Sequence, residues 1–532
     1  MVMKRLGYIA VTSFGAGALA ALLLLAMCNP SCAEDYYCVS TTGIKASGVS
    51  TTDIAAFGWA DADCYGTVSD ALAQMSGGDQ CWIDDGTYST SGTVATIGSG
   101  LSGTPGDSTV LKARNAGQVY FNSTSGSGVY VNGSHDVYVE GLHIESCADA
   151  GAAYYILGSS RRVKVKRCSF QMDTFLVTDG SSLVLAEDCL GYGGPLRYAF
   201  QTSSGADSTI FRRCIVRWDY SNVNQPTACF ASYTCDAIAY QNCVAVDCTD
   251  NIGINHAEDG TKGFFTPNGS TNISYEGSMV IATTGMAGWW LEGTNVTATL
   301  TDCVAWNLHA TTADSLDSYE PIAFASTDDN ISGVDLLNCT FGEVEWGGWD
   351  NNNGGKVGPL MSFNQTGSQG ETMYDCIIAH MVPDAGAYAV GADCNAYDYN
   401  LYYDISGNRY NEDGVGANAI TGVEPETNGL VSPLYVNPCS TLWTSGSTGG
   451  PIGAQIRSKI GVDGTYYGDT GWDSDTGNTL WPWPYQDEWR SKCSAWSMEA
   501  DSAYAGSPAM DGARGFCGTG ETLTSWLLKG GE

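Results

Sequence analysis

The chain has 532 residues, with 58 Asp and Glu against 23 Lys and Arg, for a formal net charge of −35. That charge repels nucleic acid and anionic membrane, which are excluded as partners, and it makes long polyanions poor partners unless a divalent cation bridges the two. The length would ordinarily divide into two or three domains, yet 67 glycines and many Ser, Thr, Asn and Asp point to short strands joined by turns, and so to one domain that grows by repetition.

In residues 1–33, Lys4 and Arg5 precede an apolar run from Ile9 to Met27, and Ser31-Cys32-Ala33 supplies small residues beyond it. This reads as a secretory signal, so the expected location is secreted, extracellular or cell-surface, with no membrane partner after cleavage. A retained membrane anchor is the alternative, because the run is long enough to span. Residues 34–100 read as an N-terminal cap with its first strands. Ser69–Met75 is the best helical segment there, and Gly78–Ser89, GDQCWIDDGTYS, is an apolar strand broken by an Asp-Gly turn.

Residues 101–406 carry a repeat. In VKVKRCSF, the core-type residues Val163, Val165, Cys168 and Phe170 are spaced 2-3-2, so one extra residue interrupts strand alternation and marks a bend. The spacing returns with its third position at Leu142, Cys168, Cys189, Cys214, Cys243, Ser278, Cys303, Cys339 and Cys376. Units of such variable length, with no amphipathic helical stripe, predict a β-solenoid with loops of different size. Like residues then stack on like, about 4.8 Å apart, and nine coils make a rod of roughly 40 Å.

Charge supports the same register. Two places before the third position stand Glu140, Lys166, Glu187 and Arg212, so opposite charges face each other on adjacent rungs. Read as exposed pairs, each contributes on the order of 0.2–1 kcal/mol.

The helix before the first coil, the "GD, strand, GTY" segment, VYVEGLHIES at Val137–Ser146 and the Asn-Cys or Asp-Cys strand ends at Cys243, Cys303, Cys339 and Cys376 together carry a resemblance. Over residues 36–400 the chain resembles secreted right-handed parallel β-helix proteins of the pectate lyase-like superfamily. The resemblance implies an all-β, right-handed parallel β-helix with a short N-terminal capping helix and an irregular C-terminal cap. It is specific for architecture and weak for chemistry, because that fold hosts lyases, hydrolases, adhesins and tailspikes.

Seven cysteines, Cys168, Cys189, Cys214, Cys243, Cys303, Cys339 and Cys376, occupy the inward column and are expected to be reduced, small buried hydrophobes. Disulfides are expected among the others, with Cys229–Cys235 and Cys493–Cys517 preferred. No paired cysteine spacing suits zinc or an iron-sulfur cluster.

Function should sit on loops that project from the rigid coil. One long loop gathers His256, Glu258, Asp259 and Lys262, where an acid, a base and a cation could meet; a solvated turn is the alternative. Lys164, in the basic run RRVKVKR, and Arg217 mark the one patch where an anionic sugar chain could dock. Trp346 and Trp349, beside carboxylates and amides, suit a sugar-binding groove, which Trp289 and Trp290 would extend. Residues 407–532 lose the repeat and are expected to cap the last coil. Within them Asp473, Asp475 and Asn478 could offer hard oxygen ligands to calcium, although no glutamate completes an EF-hand.

If the resemblance extends to chemistry, it implies β-elimination on a uronic-acid polymer or glycoside hydrolysis, with an extracellular polysaccharide as partner. No residue matches the catalytic signatures of pectate lyases or polygalacturonases. Two classes therefore stay open: a polysaccharide lyase or glycoside hydrolase, and a non-catalytic glycan-binding, adhesin or matrix protein.

Overall fold

The computed structural model describes residues 36–40, 63–147, 152–171, 173–193, 197–217, 227–248, 261–284, 286–309, 322–326, 331–347, 361–363, 371–383, 388–391, 396–405, 408–410, 416–495 and 515–531.

Each coil contributes one strand to each of three parallel sheets. In the coil that starts at Arg161, the chain runs through Arg161–Lys166 in sheet A, Ser169–Gln171 in sheet B and Phe175–Val177 in sheet C, then returns to sheet A at Ser182–Glu187. The sheets hold 14, 13 and 12 strands, every neighbour parallel, and the architecture is a right-handed parallel β-helix. At about 4.8 Å per rung the 14 strands of sheet A span roughly 60 Å. The rod is thus longer than nine repeats imply, because the first and last coils keep the pairing but not the spacing.

The interruption in the 2-3-2 spacing is the corner between sheets A and B. Gly141, Arg167, Asp188, Arg213, Asn242, Gly277, Asp302, Asn338 and Asp375 all have φ between 49° and 75°. This left-handed conformation turns the chain in one residue and suits Gly, Asn and Asp; Arg167 and Arg213 adopt it too, with their side chains bonded to Glu488 and to Asp188 and Asp463. The predicted inward positions are all buried, from Val137 to Ile378. Beside them runs a file of rings from sheet C, Phe200, Phe230, Phe264 and Trp289, with centroids 4.8–5.2 Å apart and planes within 12°. Trp289 therefore belongs to the core and does not extend a sugar-binding surface. Helix α1 (Val68–Leu72) closes the first coils: Thr67 caps it by accepting from the Asp70 amide, and Val68, Ala71 and Leu72 face inward.

The seven column cysteines are buried free thiols. The disulfide observed joins Cys38 and Cys64 in the cap. Cys229 and Cys235 are both free; Cys229 Sγ instead lies 3.7 Å from Cys248 Sγ, while Cys235 shares hydrogen bonds with Thr202 and Ser270. Cys493 and Cys517 are neighbouring thiols that interact without a disulfide.

The charge ladder has the predicted register. Lys166 pairs with Glu140 on one side and Glu187 on the other, and Glu187 pairs with Arg212. Its environment differs from the expectation of exposed pairs: Glu187 is 1% exposed and Arg212 and Arg213 are 0% exposed. The chain after Gly416 covers them. Residues 447–464 follow the A–B corner back along the rod, and the side chains at the left-handed positions receive them. Asp375 accepts from Ser447, Asp302 from the Gln455 amide and Asn242 from the Ile460 amide. Arg213 holds Asp463 at 2.8 Å, and Arg212 donates to the Val462 and Trp472 carbonyls. The C-terminal region thus begins on the last coil, where Ile420–Thr421 pairs with Leu401–Ile405, and continues as a strap along the flank of the β-helix.

Candidate functional site on sheet C

The turns from sheet A to sheet B are tight, whereas within the coils from Gly86 onward the longest connections run from sheet B to sheet C: Arg217 to Ala228, Val246 to Thr261, His309 to Phe324 and Gly347 to Met361. Topology therefore delivers the variable chain to one edge of sheet C, and the outer face of that sheet is the candidate site.

Strand alternation puts Val129, Tyr154, Phe175 and Phe200 inside and their neighbours outside. The register aligns Tyr130, Tyr155, Leu176, Gln201, Ala231, Phe265 and Trp290 into one outward file. Tyr130, Tyr155, Leu176 and Gln201 are half-buried, with the two tyrosine rings 5.5 Å apart and edge to face. Further along, Phe265 and Trp290 are buried. A parallel file runs through Tyr198, Ala228, Lys262 and Ala287. Lys262 Nζ lies 4.9 Å from the Phe265 ring centroid and 5.3 Å from that of Trp290, a cation over two aromatic faces. The Trp290 indole donates to Glu292 at 2.8 Å. The half-buried end of this face presents tyrosine rings suited to the apolar sides of sugars, while the cation and the two rings beneath it lie below the surface at the other end.

The sequence-predicted residues are distributed as follows. Lys262 opens a sheet C strand and is 2% exposed. His256, Glu258 and Asp259 precede it on the connection from sheet B and lie outside the described residues. Trp346 ends the sheet B strand Thr340–Gly347, with a side chain outside the described set, and Trp349 lies outside it altogether. The basic patch is engaged by the strap: Lys164 Nζ sits 4.5 Å from the Tyr466 ring centroid, and Arg217, 1% exposed, stands 4.0 Å from Asp247 and over Phe516. Asp473, Asp475 and Asn478 are exposed on or beside the hairpin of Ser458–Ile460 with Asp475–Thr479. Asp475 accepts from the Gly477 amide, and Asp473 and Asp475 share a cavity of about 220 Å³ with Glu276 and Asp302. Among the described residues no three His, Cys, Asp or Glu side chains converge in a metal-binding arrangement. Tyr130, Tyr155 and Gln201 were missed because the repeat was read over sheets A and B alone; the signal available was the alternation in Val129–Val131 and Tyr154–Ile156.

No family model and no curated protein matches the chain. Among solved structures it is similar to the pectate lyase Pel9A, at 14% identity and TM-score 0.44, over 78% of this chain and 92% of that one. It is also similar to a PL6 alginate lyase complexed with a trisaccharide, at 10% identity and TM-score 0.42, over 79% of this chain and 92% of that one. A third similar structure is the catalytic unit of a thermostable GH87 α-1,3-glucanase from Streptomyces thermodiastaticus, at 14% identity and TM-score 0.35, over 71% of this chain and 68% of that one. At such identities the likeness concerns the fold, and the class that the fold defines is the parallel β-helix protein. Among the described residues no helix is long and apolar enough to cross a membrane.

Proposed function

We propose that this chain is an extracellular carbohydrate-active protein that engages a polysaccharide on the outer face of sheet C, and that it acts there as a polysaccharide lyase or glycoside hydrolase. What supports this is the outward file from Tyr130 to Trp290 with Lys262 over its two buried rings. Elimination on a uronic-acid polymer is the favoured reaction, because it needs a cation to neutralise the sugar carboxylate and a base to take the C5 proton. Lys262 is the ionisable group that the strand itself sets on this face, and His256, Glu258 and Asp259 precede it in the sequence. Hydrolysis would need two carboxylates at a defined separation.

A second reading, polysaccharide binding without cleavage, draws on the deep burial of Lys262, since a base must reach its proton. The purified protein is incubated with polyuronates and neutral polysaccharides, with and without chelator, while unsaturated-product absorbance and reducing ends are followed. Unsaturated products that disappear in Lys262→Met establish elimination. Products on no polymer, with polymer still retained, establish the binding reading; loss with chelator that added calcium alone restores establishes a calcium requirement.

A further inference from the structure

A second cavity, of about 520 Å³, is lined by none of the sheet C residues and lies between the outer face of sheet B and helix α2 (Gln486–Ala495) of the strap. Its volume is in the range of small-molecule sites. Gly117 lets the helix approach: its φ is +77°, and a Cβ there would stand 2.3 Å from Glu488 Oε1.

The sheet side is rigidly built. His143 is 2% exposed; its Nδ1 is 2.8 Å from Ser169 Oγ and its Nε2 is 3.2 Å from the Tyr192 hydroxyl. The His143 ring stacks on that of Tyr192 at 5.8 Å and meets Tyr120 edge to face at 5.2 Å. Burial, and then the charge of Lys492, hold the imidazole well below its ordinary pKa, so it is neutral. With both ring nitrogens committed, His143 is a positioning residue that fixes the Tyr192 hydroxyl.

The helix side carries two groups whose bonding is incomplete. Lys492 Nζ donates to the Gly117 carbonyl at 3.1 Å and lies 5.3 Å from the Tyr120 ring centroid. Among the described residues it forms no ion pair, so further N–H groups of this cation remain for the cavity. Glu488 uses one oxygen, Oε2, for both Nε and Nη2 of Arg167, at 3.2 and 2.8 Å. Its other oxygen, Oε1, is buried and has no donor. Gln118, Gln171, Ser491 and Glu145 complete the polar lining, and the carboxylates of Glu488 and Glu145 favour the charged form of Lys492 without pairing with it.

A cation with N–H groups to spare and a carboxylate oxygen short of a donor, set between two tyrosine rings, describe one ligand chemistry. We infer that this cavity binds a small hydroxylated monocarboxylate of the size of one sugar acid. Its carboxylate lies on Lys492, a hydroxyl donates to Glu488 Oε1, and its carbon skeleton rests against Tyr120 and Tyr192. Inorganic phosphate satisfies Lys492 but sets acceptors against Glu488 Oε1; a neutral glycoside satisfies Glu488 and leaves Lys492 unpaired. The inference is independent of the activity on sheet C.

Isothermal titration of the full chain with D-glucuronate, D-galacturonate, methyl glucoside and inorganic phosphate tests it. One uronate binds at a single saturable site, more weakly as salt is raised, and at least tenfold more tightly than methyl glucoside or phosphate. Lys492→Met weakens uronate binding at least tenfold with melting temperature as the folding control, and Tyr192→Phe weakens it severalfold with every charge retained. Absence of saturable uronate binding, or equal affinity in Lys492→Met, overturns the inference. Polymer cleavage retained in Lys492→Met keeps its fate separate from that of the sheet C proposal.

Discussion

Arg213 and Asp463 are 250 positions apart in the chain, and their side chains meet at 2.8 Å. Arg213 also binds Asp188 at 2.6 Å and Glu187 at 3.1 Å, so one buried guanidinium joins two coils of the rod to the strap. Removing one partner of such a group leaves buried charge uncompensated, which costs about 3–5 kcal/mol. Arg213→Ala is expected to lower the stability of the protein by that amount in denaturant titrations. A loss below about 1 kcal/mol, the level of an exposed ion pair, would show that the strap is not held there.

The same network sets an acid limit. Burial pushes Glu187 up, but Arg213, Lys166 and Arg212 outweigh it and hold the carboxyl at about 2, below its ordinary 4.5. A depressed acid stabilises the fold above its unfolded value, and that contribution is lost as pH falls through the folded one. Stability should therefore drop between roughly pH 4.5 and pH 2 in the native chain, and the drop should shrink in Glu187→Gln, as read from melting temperature against pH.

Glu276 and Asp302 behave in the opposite sense. Burial raises both to about 7, helped at Glu276 by Asp473 against Arg212, and at Asp302 by Glu276 and Asp475 against the Gln455 amide. Their neutral forms suit the fold, so stability falls as pH rises from their unfolded values, near 4, through 7. Glu276→Gln should flatten that part of the profile; an unchanged slope would refute the assignment.

His380 adds a third limb. Glu426, at 3.2 Å from Nε2, and Asp404, at 2.9 Å from Nδ1, raise it to about 9 against the opposing effect of burial. Its contribution is complete below pH 6.5 and is lost as pH rises through 9. Because Asp404 and Glu426 are 65% and 43% exposed, the effect should be small and weakened by salt. His380→Gln should remove the salt-sensitive part of the decline, measured by melting in low and high salt.

The core file is predicted to be costly to interrupt. Trp289 is fully buried, stacked on Phe264 at 5.1 Å and edge to face with Phe341, so Trp289→Ala should cost about 3–5 kcal/mol in unfolding free energy. A cost near 1 kcal/mol would mean that the neighbouring rings collapse into the gap.

The spacing of Val163, Val165, Cys168 and Phe170, repeated along the chain, determined the coil, its corner and the rung-to-rung order of Lys166, Glu187 and Arg212. Each of these follows from local geometry: side chains alternate along a strand, one left-handed residue breaks the alternation, and parallel stacking brings equal positions together. Sheet C was less legible, since its strands are separated from the repeat by connections of unequal length. Only the tertiary structure decided which charges are solvated. Arg212, Arg213 and Arg217 look like a docking patch in sequence, yet a strap more than 200 residues away covers them, and nothing local to the repeat encodes its path. The cavity between His143 and Lys492 arises in the same way, from two segments whose contact depends on how the chain returns along its own flank.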